Sequence, residues 1–157
     1  MGIATTVVEF LDRSGVDYNV IQHPHAPSSM RTAEAAHVSG ELVAKGVLLK
    51  DTEGYVLAVV PASHHVQVGH VQETLGRPLE TAPEPELAEV FPDCEPGAVP
   101  AVGPAYELDT IVDPSLRGQP NIYFEAGDHE ELIHVTGAVF ESLLQDARFM
   151  PCSEHRP

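Results

Sequence analysis

The apolar residues at the start of the chain are spaced as in a helix. Ile3, Val7, Phe10 and Leu11 recur at helical intervals, and Gly15 can end that helix in a left-handed turn. The same spacing and the same end signals predict four more helices: one capped by Thr32 and running to Gly40, one from Val68 to Gly76, one from near Pro85 to Pro92, and one capped by Thr136 that contains Phe140, Leu143 and Leu144.

Shorter apolar runs between these helices predict strands. Residues 45–50 and 55–60 flank the turn Asp51-Thr52-Glu53-Gly54 and read as a hairpin. Further strands are predicted at Tyr18–Gln22, Tyr106–Val112, Asn121–Glu125 and Glu131–Val135, whereas residues 93–104 are too rich in Pro and Gly for regular structure. Helices and strands alternate without repeats, which predicts an α/β or α+β domain around one mixed sheet.

The length of 157 residues fits a single domain. We assign residues 1–149 to this domain and residues 150–157 to a mobile C-terminal tail. No apolar run approaches the ~20 residues that span a bilayer, and the two cysteines, Cys94 and Cys152, form no disulfide or metal pattern. We therefore expect a soluble, cytoplasmic protein with no membrane partner, in which Cys94 is an inert thiol.

The charge of the chain limits its partners. Eight basic residues stand against 24 acidic ones, for a net charge of -16. Such a surface repels polyanions, so binding to DNA or to long stretches of RNA is disfavoured. Contact with a small substrate or with the end of a nucleic acid remains compatible with this charge. The basic residues that could lie near a cleft are Arg31, Lys45, Lys50 and Arg77.

Lys45 is the residue most suggestive of chemistry. It is one of two lysines and lies in the apolar stretch Leu42–Lys50, where strand alternation puts it on one side with Val47 and Leu49. An ammonium beside a core or cleft loses hydration unless it holds an anion or a carbonyl oxygen, so Lys45 is a candidate substrate contact. The alternative is an exposed strand end from which Lys45 reaches into water.

The loop Glu95–Gly103 is the second candidate. Its glycines allow backbone amides to approach a ligand and to hold an oxyanion, although a purely structural turn has the same composition. No Walker or Gly-x-Gly-x-x-Gly pattern is present, and no serine stands in a Gly-x-Ser-x-Gly turn. We therefore expect neither a nucleotide cofactor nor a covalent acyl-enzyme.

Nine histidines raise the question of a metal. His64 and His65 would point to opposite faces of a strand, and no His-Glu-x-x-His motif occurs, so we expect no metal and no cofactor. A metal-dependent hydrolase that uses His64 and His129 is kept as an alternative. His129 could also shape a pocket, because histidine titrates near neutrality, or it could be a surface residue in an acidic turn.

Several ordered segments together resemble the YbaK/prolyl-tRNA-synthetase-associated family, whose members include free-standing aminoacyl-tRNA deacylases. The segments are Tyr18 to Pro24, Thr32 to Ala36, the Val43-Ala44-Lys45 strand, Val66 to Gly76, Gly97 to Gly103, Thr110 to Asp113, and Ile122 to Gly127. The resemblance implies one compact α/β domain, with a mixed, barrel-like β-sheet surrounded by helices. It also implies an enzyme that hydrolyses the ester of mischarged tRNA.

The resemblance extends to single positions. Lys45 falls on the family's essential lysine, Gly97 on the first glycine of its Gly-x-x-x-Pro loop, and Asp113 on an acidic position after it. The loop's closing proline is replaced by Ala101, with Pro100 one place earlier. The glycine-rich continuation after Gly127 is replaced by Asp128 to Glu131, and both changes bear on which amino acid is accepted.

These observations give a set of site residues. Lys45 and Gly97 are the predicted catalytic residues. Substrate binding is assigned to Thr32, Pro100, Ala101, Gly103, Asp113, Gly127 and His129. The expected partner is the acceptor end of mischarged tRNA, with an aminoacyl-tRNA synthetase as a second candidate. The alternative function is a non-catalytic module of the same fold that binds a small molecule or a tRNA end.

Overall fold

The computed structural model describes residues 2–155, which form five α-helices and ten strands. The helices are α1 (Thr5–Ser14), α2 (Ser29–Ala35), α3 (Val68–Leu75), α4 (Glu84–Val90) and α5 (Gly137–Leu143). The strands are β1 (Asn19–Gln22), β2 (Val43–Asp51), β3 (Gly54–Pro61), β4 (His64–Val66), β5 (Glu80–Thr81), β6 (Asp109–Val112), β7 (Asn121–Glu125), β8 (Glu131–Thr136), β9 (Arg148–Phe149) and β10 (Ser153–His155).

The main sheet is mixed and follows the order β1-β8-β7-β2-β3-β6-β9, with β5 also paired to β2. The β2–β3 hairpin at its centre is antiparallel, whereas β7 joins β2, and β6 joins β3, in parallel. A second, two-stranded sheet pairs β10 with β4. The predicted α/β class with a mixed sheet is therefore confirmed.

Helices pack on both faces of the sheet. One core cluster joins α1 and α5 to Leu48, Leu57 and Phe124 of the sheet. The opposite cluster joins Val71 of α3 to residues of β2, β3 and β6. None of the helices within residues 2–155 is long and apolar enough to cross a lipid bilayer.

The helix and hairpin predictions agree with most of these elements. Gly15 and Gly76 end α1 and α3 in left-handed conformations, and the Thr136 hydroxyl accepts a hydrogen bond from Val139 N at the start of α5. Three boundaries are wrong. The helix predicted to run to Gly40 ends at Ala35, and His37 follows it with a left-handed φ of 58°. Ser28 caps α2, while Thr32 lies inside the helix and is buried. The strand predicted from Tyr106 begins only at Asp109, because Gly103–Tyr106 forms a 3₁₀ turn.

The prediction of a mobile tail after residue 149 is wrong for residues 150–155. Met150 and Cys152 are buried in the cluster around α3, and Ser153–His155 pairs with β4. The Asp113 carboxylate fixes this segment by accepting hydrogen bonds from Cys152 N, Ser153 N and Ser153 Oγ at 2.7–3.1 Å. Residues 156 and 157 of the predicted tail lie outside the described residues.

Candidate functional site

A cleft of about 250 Å³ opens beside the centre of β2. Its lining residues are Pro27, Ser28, Ser29, Met30, Lys45, Gly46, Ala62, Gly97 and Val99. The two predicted catalytic residues, Lys45 and Gly97, thus line one cleft although they lie on different elements. Of the nine described lining residues, Lys45 is the one that carries a positive charge.

The cleft lies beside a stretch of β2 whose one edge is unpaired. On that edge β7 pairs with Val43 and Ala44, and β5 pairs with Leu49 and Lys50. No strand within residues 2–155 pairs with this edge between Lys45 and Val47. Val99 of the following 97–99 loop packs over Gly46, where a side chain would approach Val99 Cγ1 to 3.0 Å.

Lys45 is half-buried, and its position follows from the hairpin. It lies opposite Val60 on β3, two residues before Ala62, and its Nζ donates to the Ala62 carbonyl at 3.5 Å. The other lysine, Lys50, forms an ion pair of 2.6 Å with Glu86 of α4. The expectation that one lysine borders a cleft therefore agrees with the structure.

The loop that carries Gly97 is held by main-chain hydrogen bonds. Glu95 N donates to the Gly127 carbonyl at 2.7 Å, and Ala98 N donates to the Glu95 carbonyl at 3.1 Å. Gly97 has a φ of 81°, in the left-handed region that favours glycine. Gly97 is exposed, and its N–H donates to no acceptor within the described part of the chain.

The rest of this loop packs into the protein. Pro100, Ala101 and Gly103 are buried, and a side chain at Gly103 would collide with the Thr110 hydroxyl. None of the three is among the cleft's lining residues. The structure therefore brings Gly97 to Lys45 but directs Pro100, Ala101 and Gly103 toward the core.

A buried polar cluster lies behind Gly97. It consists of Thr32 on α2, Glu125 at the end of β7, and Asp128 and His129 in the following turn; Glu125 is 1% exposed and His129 5%. His129 Nε2 lies 2.6 Å from the Pro96 carbonyl, and its Nδ1 lies 4.0 Å from Glu125 Oε1. His129 is therefore a buried residue that touches the Gly97 loop.

Burial governs the protonation of Glu125. It raises the pKa of the Glu125 carboxyl to about 7, and nearby Asp128 raises it too, whereas the Thr32 hydroxyl and His129 lower it. The Thr32 hydroxyl lies beside Glu125 without a hydrogen bond of ordinary geometry to it. A carboxyl with such a pKa exchanges its proton near neutral pH, which is typical of functional sites.

Gly127 and Asp113 have structural roles outside the cleft lining. Gly127 has a φ of 104°, and a side chain there would approach Ala4 Cβ to 3.1 Å. Burial would raise the pKa of the Asp113 carboxyl, but hydrogen bonds from Ser115 and Ser153 outweigh burial and hold the pKa below its ordinary value. Asp113 anchors the C-terminal segment rather than facing Lys45.

Sequence reasoning missed Glu125. The signal was present but weak: an acidic residue directly follows the apolar positions Ile122 and Phe124 and precedes His129 by four residues. Glu125 lies beside Thr32 of α2, a contact between distant segments that no local sequence pattern predicts. Elsewhere, burial raises the pKa of Cys94 to about 12, in keeping with an inert thiol.

The histidines are dispersed rather than gathered around one point. His64 Nδ1 contacts Ser153 Oγ at 2.9 Å beside the C-terminal segment, whereas His129 contacts Pro96. In the described part of the chain, no three His, Cys, Asp or Glu side chains are grouped as a metal ion would require.

Comparison with known sequences gives two findings. A family model described as "Aminoacyl-tRNA editing domain" matches residues 23–143. The chain is also 29% identical, over 136 residues, to the proline–tRNA ligase of Bacillus pumilus (strain SAFR-032), an alignment that covers 84% of this chain and 24% of that enzyme. The chain thus spans about a quarter of the length of that relative.

Solved structures with the same fold support the architecture. One, described as a candidate trans-editing enzyme for prolyl tRNA synthetase, has a TM-score of 0.82 and 23% identity over 96% of each chain. Another, the hypothetical protein APE2540, has a TM-score of 0.83 and 20% identity over 95% of this chain and 99% of its own. At these identities the similarity establishes the fold.

Proposed function

Because this chain belongs to the aminoacyl-tRNA editing domain family, we propose that it is a deacylase that hydrolyses the ester joining a wrong amino acid to the 3′ end of a tRNA. One observation carries the proposal: Lys45 and Gly97 line the same cleft. An aminoacyl ester is already activated, so positioning and oxyanion stabilisation can suffice without a nucleophilic side chain.

In the proposed reaction, each cleft group has a distinct role. Lys45 orients the terminal nucleotide or the ester carbonyl through its positive charge. The Gly97 N–H donates to the oxyanion that forms when water attacks the carbonyl carbon. A hydroxyl of the substrate assists the attacking water, after which the ester C–O bond breaks and the tRNA hydroxyl leaves with a proton.

The proposed substrate contact is confined to the acceptor end. A net charge of -16 opposes contact with the body of a tRNA, whereas a cleft of about 250 Å³ with one ammonium can accept a terminal aminoacyl group. Transfer of mischarged tRNA from a synthetase would compensate for weak binding. The relative's name, a proline–tRNA ligase, makes prolyl-tRNA synthetase the first partner to test.

The test is a panel of tRNAs, each charged with a wrong amino acid and incubated with the purified protein. Release of amino acid from at least one member, faster than without protein, supports the proposal. Saturable binding of a charged tRNA without release would instead support the non-catalytic module. Neither binding nor release across the panel, alone or with prolyl-tRNA synthetase present, overturns both.

A further inference from the structure

The main chain of Gly46 faces the unpaired edge of β2. Successive residues of a strand direct their N–H and C=O groups to opposite edges. At the edge away from β3, the Leu42 carbonyl accepts from Tyr123 N at 2.9 Å, and the Leu48 carbonyl accepts from Ala82 N at 2.9 Å. Gly46 lies an even number of residues from both, so its N–H and C=O point to that same edge.

The two neighbours of Gly46 in the strand face the other way. On the β3 side, the Val43 carbonyl accepts from Ala62 N at 2.7 Å. Lys45 and Val47 lie two and four residues after Val43, so their main-chain groups point to β3 and take part in the hairpin. The unpaired stretch therefore presents the N–H and C=O of a single residue.

These two groups lie at the cleft and lack a partner in the fold. Gly46 is half-buried and lines the cleft together with Lys45 and Gly97. Pairing with β7 ends at Ala44 and pairing with β5 begins at Leu49, and within the described part of the chain no group is hydrogen-bonded to the Gly46 N–H or carbonyl. Main-chain polar groups are paired with protein, water or ligand, so this donor and this acceptor are left to water or to a ligand of the cleft.

A donor and an acceptor on one residue are the groups that an opposing strand residue uses. In an antiparallel pair, two residues exchange both N–H···O=C hydrogen bonds, and extended peptides add to sheet edges by the same bonds. An aminoacyl ester carries a matching set, because its α-amino group donates and its carbonyl oxygen accepts. Since β7 and β5 occupy the edge on either side of Gly46, the gap fits one amino-acid residue rather than a peptide strand.

From this geometry we propose that the Gly46 main chain binds the aminoacyl group of the substrate as if it were one residue of an added strand. The Gly46 carbonyl accepts from the substrate α-amino group, and the Gly46 N–H donates to the ester carbonyl oxygen. The inference deepens the proposed deacylase function and rests on it. It assigns to Gly46 the recognition of the part that all amino acids share, and it adds a second donor to the oxygen that the Gly97 N–H is proposed to stabilise.

The probe is 3′-glycylamino-3′-deoxyadenosine, a stable amide analogue of the charged tRNA end. Its amino acid has no side chain, so it reports recognition of the main chain alone. The matched control is 3′-acetylamino-3′-deoxyadenosine, which lacks the α-amino group. The first readout is the hydrogen-exchange rate of the Gly46 amide, followed by NMR. The second is the dissociation constant of each analogue.

A backbone substitution in the protein isolates the Gly46 carbonyl. Incorporation of 2-hydroxy-3-methylbutanoic acid in place of Val47 turns the Gly46–Val47 peptide bond into an ester and weakens that carbonyl as an acceptor. The matched control replaces Leu49 by its own α-hydroxy analogue, which weakens the carbonyl of Leu48, outside the cleft lining. Each variant also loses one N–H that faces β3, so the two should lose comparable stability.

We expect the glycyl analogue to slow exchange of the Gly46 amide by about tenfold at saturation, the size of one net hydrogen bond. The acetyl analogue should bind about 10- to 100-fold more weakly, the range for a hydrogen bond to a charged group. The ester at Val47 should reduce this difference between the analogues, whereas the ester at Leu49 should preserve it. A Gly46 amide unchanged by the bound analogue, or an equal difference in both ester variants, overturns the proposal.

The outcome is separable from that of the deacylation panel. Protection of Gly46 by the glycyl analogue, with no amino acid released across the panel, supports recognition of the amino acid and counts against deacylation alone. Release of amino acid by a protein whose Gly46 amide is unaffected counts against this inference alone. Absence of saturable binding of the glycyl analogue also overturns the inference, while the panel still decides the deacylase function.

Discussion

The Lys45 ammonium lies 3.5 Å from the carbonyl oxygen of Ala62, across the β2–β3 hairpin. A contact of that length is at the weak limit of hydrogen bonding. It places the ammonium at the wall of the cleft. That position is the basis of the substrate-binding role proposed for Lys45.

Replacement of Lys45 by alanine should lower the deacylation rate by about 10²–10³, the loss typical of one electrostatic donor in a catalytic site. The measurement is single-turnover release of amino acid from the mischarged tRNA identified by the panel. Lys50→Ala is the matched control, since Lys50 lies on the same strand but pairs with Glu86. A folded Lys45→Ala protein with wild-type rates would remove Lys45 from the mechanism.

Replacement of Gly97 by alanine should reduce both stability and rate. With a φ of 81°, the position strains any side-chain-bearing residue, at a cost of about 1–2 kcal/mol. The nearest neighbours of the new Cβ would be His129 ring atoms at 3.5 Å, an ordinary contact, so strain rather than collision causes the loss.

Gly118→Ala is the control that separates the effect of backbone strain on stability from an effect of Gly97 on activity. Gly118 has a similar φ of 77°, has open space around it and lies outside the cleft lining. Both variants should lose a comparable free energy of unfolding in urea titrations. Only Gly97→Ala should lose more of its deacylation rate than the smaller fraction of folded protein explains. Equal rates for the two would show that the Gly97 amide does not act on the substrate.

Binding of the tRNA end should depend only weakly on salt. One ammonium that replaces one condensed counterion gives a slope of about -0.7 to -0.9 in log affinity against log salt. The expected change is about fourfold or less between 50 and 200 mM salt, measured by fluorescence anisotropy with an acceptor-stem fragment. Lys45→Ala should flatten the slope, and a steep dependence would indicate further phosphate contacts.

Replacement of Asp113 by asparagine should destabilise the fold at neutral pH. The variant weakens the charge-assisted hydrogen bonds to Cys152 and Ser153, each of which is worth about 1.5–3 kcal/mol. Because the pKa of Asp113 is lowered in the fold, its stabilisation is present above pH 3.8 and is lost as the pH falls toward the folded pKa. Urea titrations at several pH values measure the difference, and a rate loss larger than the folded fraction explains would place Asp113 at the substrate instead.

The stability conferred by Glu125 should have the opposite pH dependence. A raised pKa means that the folded state holds the proton more tightly than the unfolded chain, so this stabilisation is full below pH 4.5 and is lost as the pH rises through about 7. The stability of Glu125→Gln relative to wild type should therefore rise between pH 5 and pH 8, by up to about 3 kcal/mol. A constant difference across that range would show that Glu125 does not titrate there.

Much of the fold was predictable because helix periodicity and turn chemistry are local. Gly15, Gly76 and Thr136 mark helix ends through their own backbone or side-chain geometry, and the Asp51–Gly54 turn fixes the central hairpin. The family resemblance drawn from ordered segments is confirmed by the match to residues 23–143. Each of these signals lies within a short window of sequence.

The parts that sequence reasoning missed depend on distant contacts. The strand Ser153–His155 has no apolar alternation and is ordered by Asp113 and β4, which lie far away in sequence. Thr32 of α2 and Glu125 at the end of β7 are far apart in sequence and come together only in the folded chain. The placement of Lys45 and Gly97 at one site is an expectation from resemblance, and both residues line one cleft beside the gap between two short strand pairings along β2.

The unpaired stretch of β2 beside the cleft is held in the sheet at both ends, by β7 and by β5. The strand pairing fixes the length of this unpaired stretch, with Ala44 opposite Phe124 at one end and Leu49 opposite Thr81 at the other. No single side-chain substitution can therefore lengthen it. Attempts to enlarge the range of accepted acyl groups should therefore target Met30 and Val99 on the walls. Insertions in β2 would shift both strand pairings and disrupt the sheet before they widened the cleft.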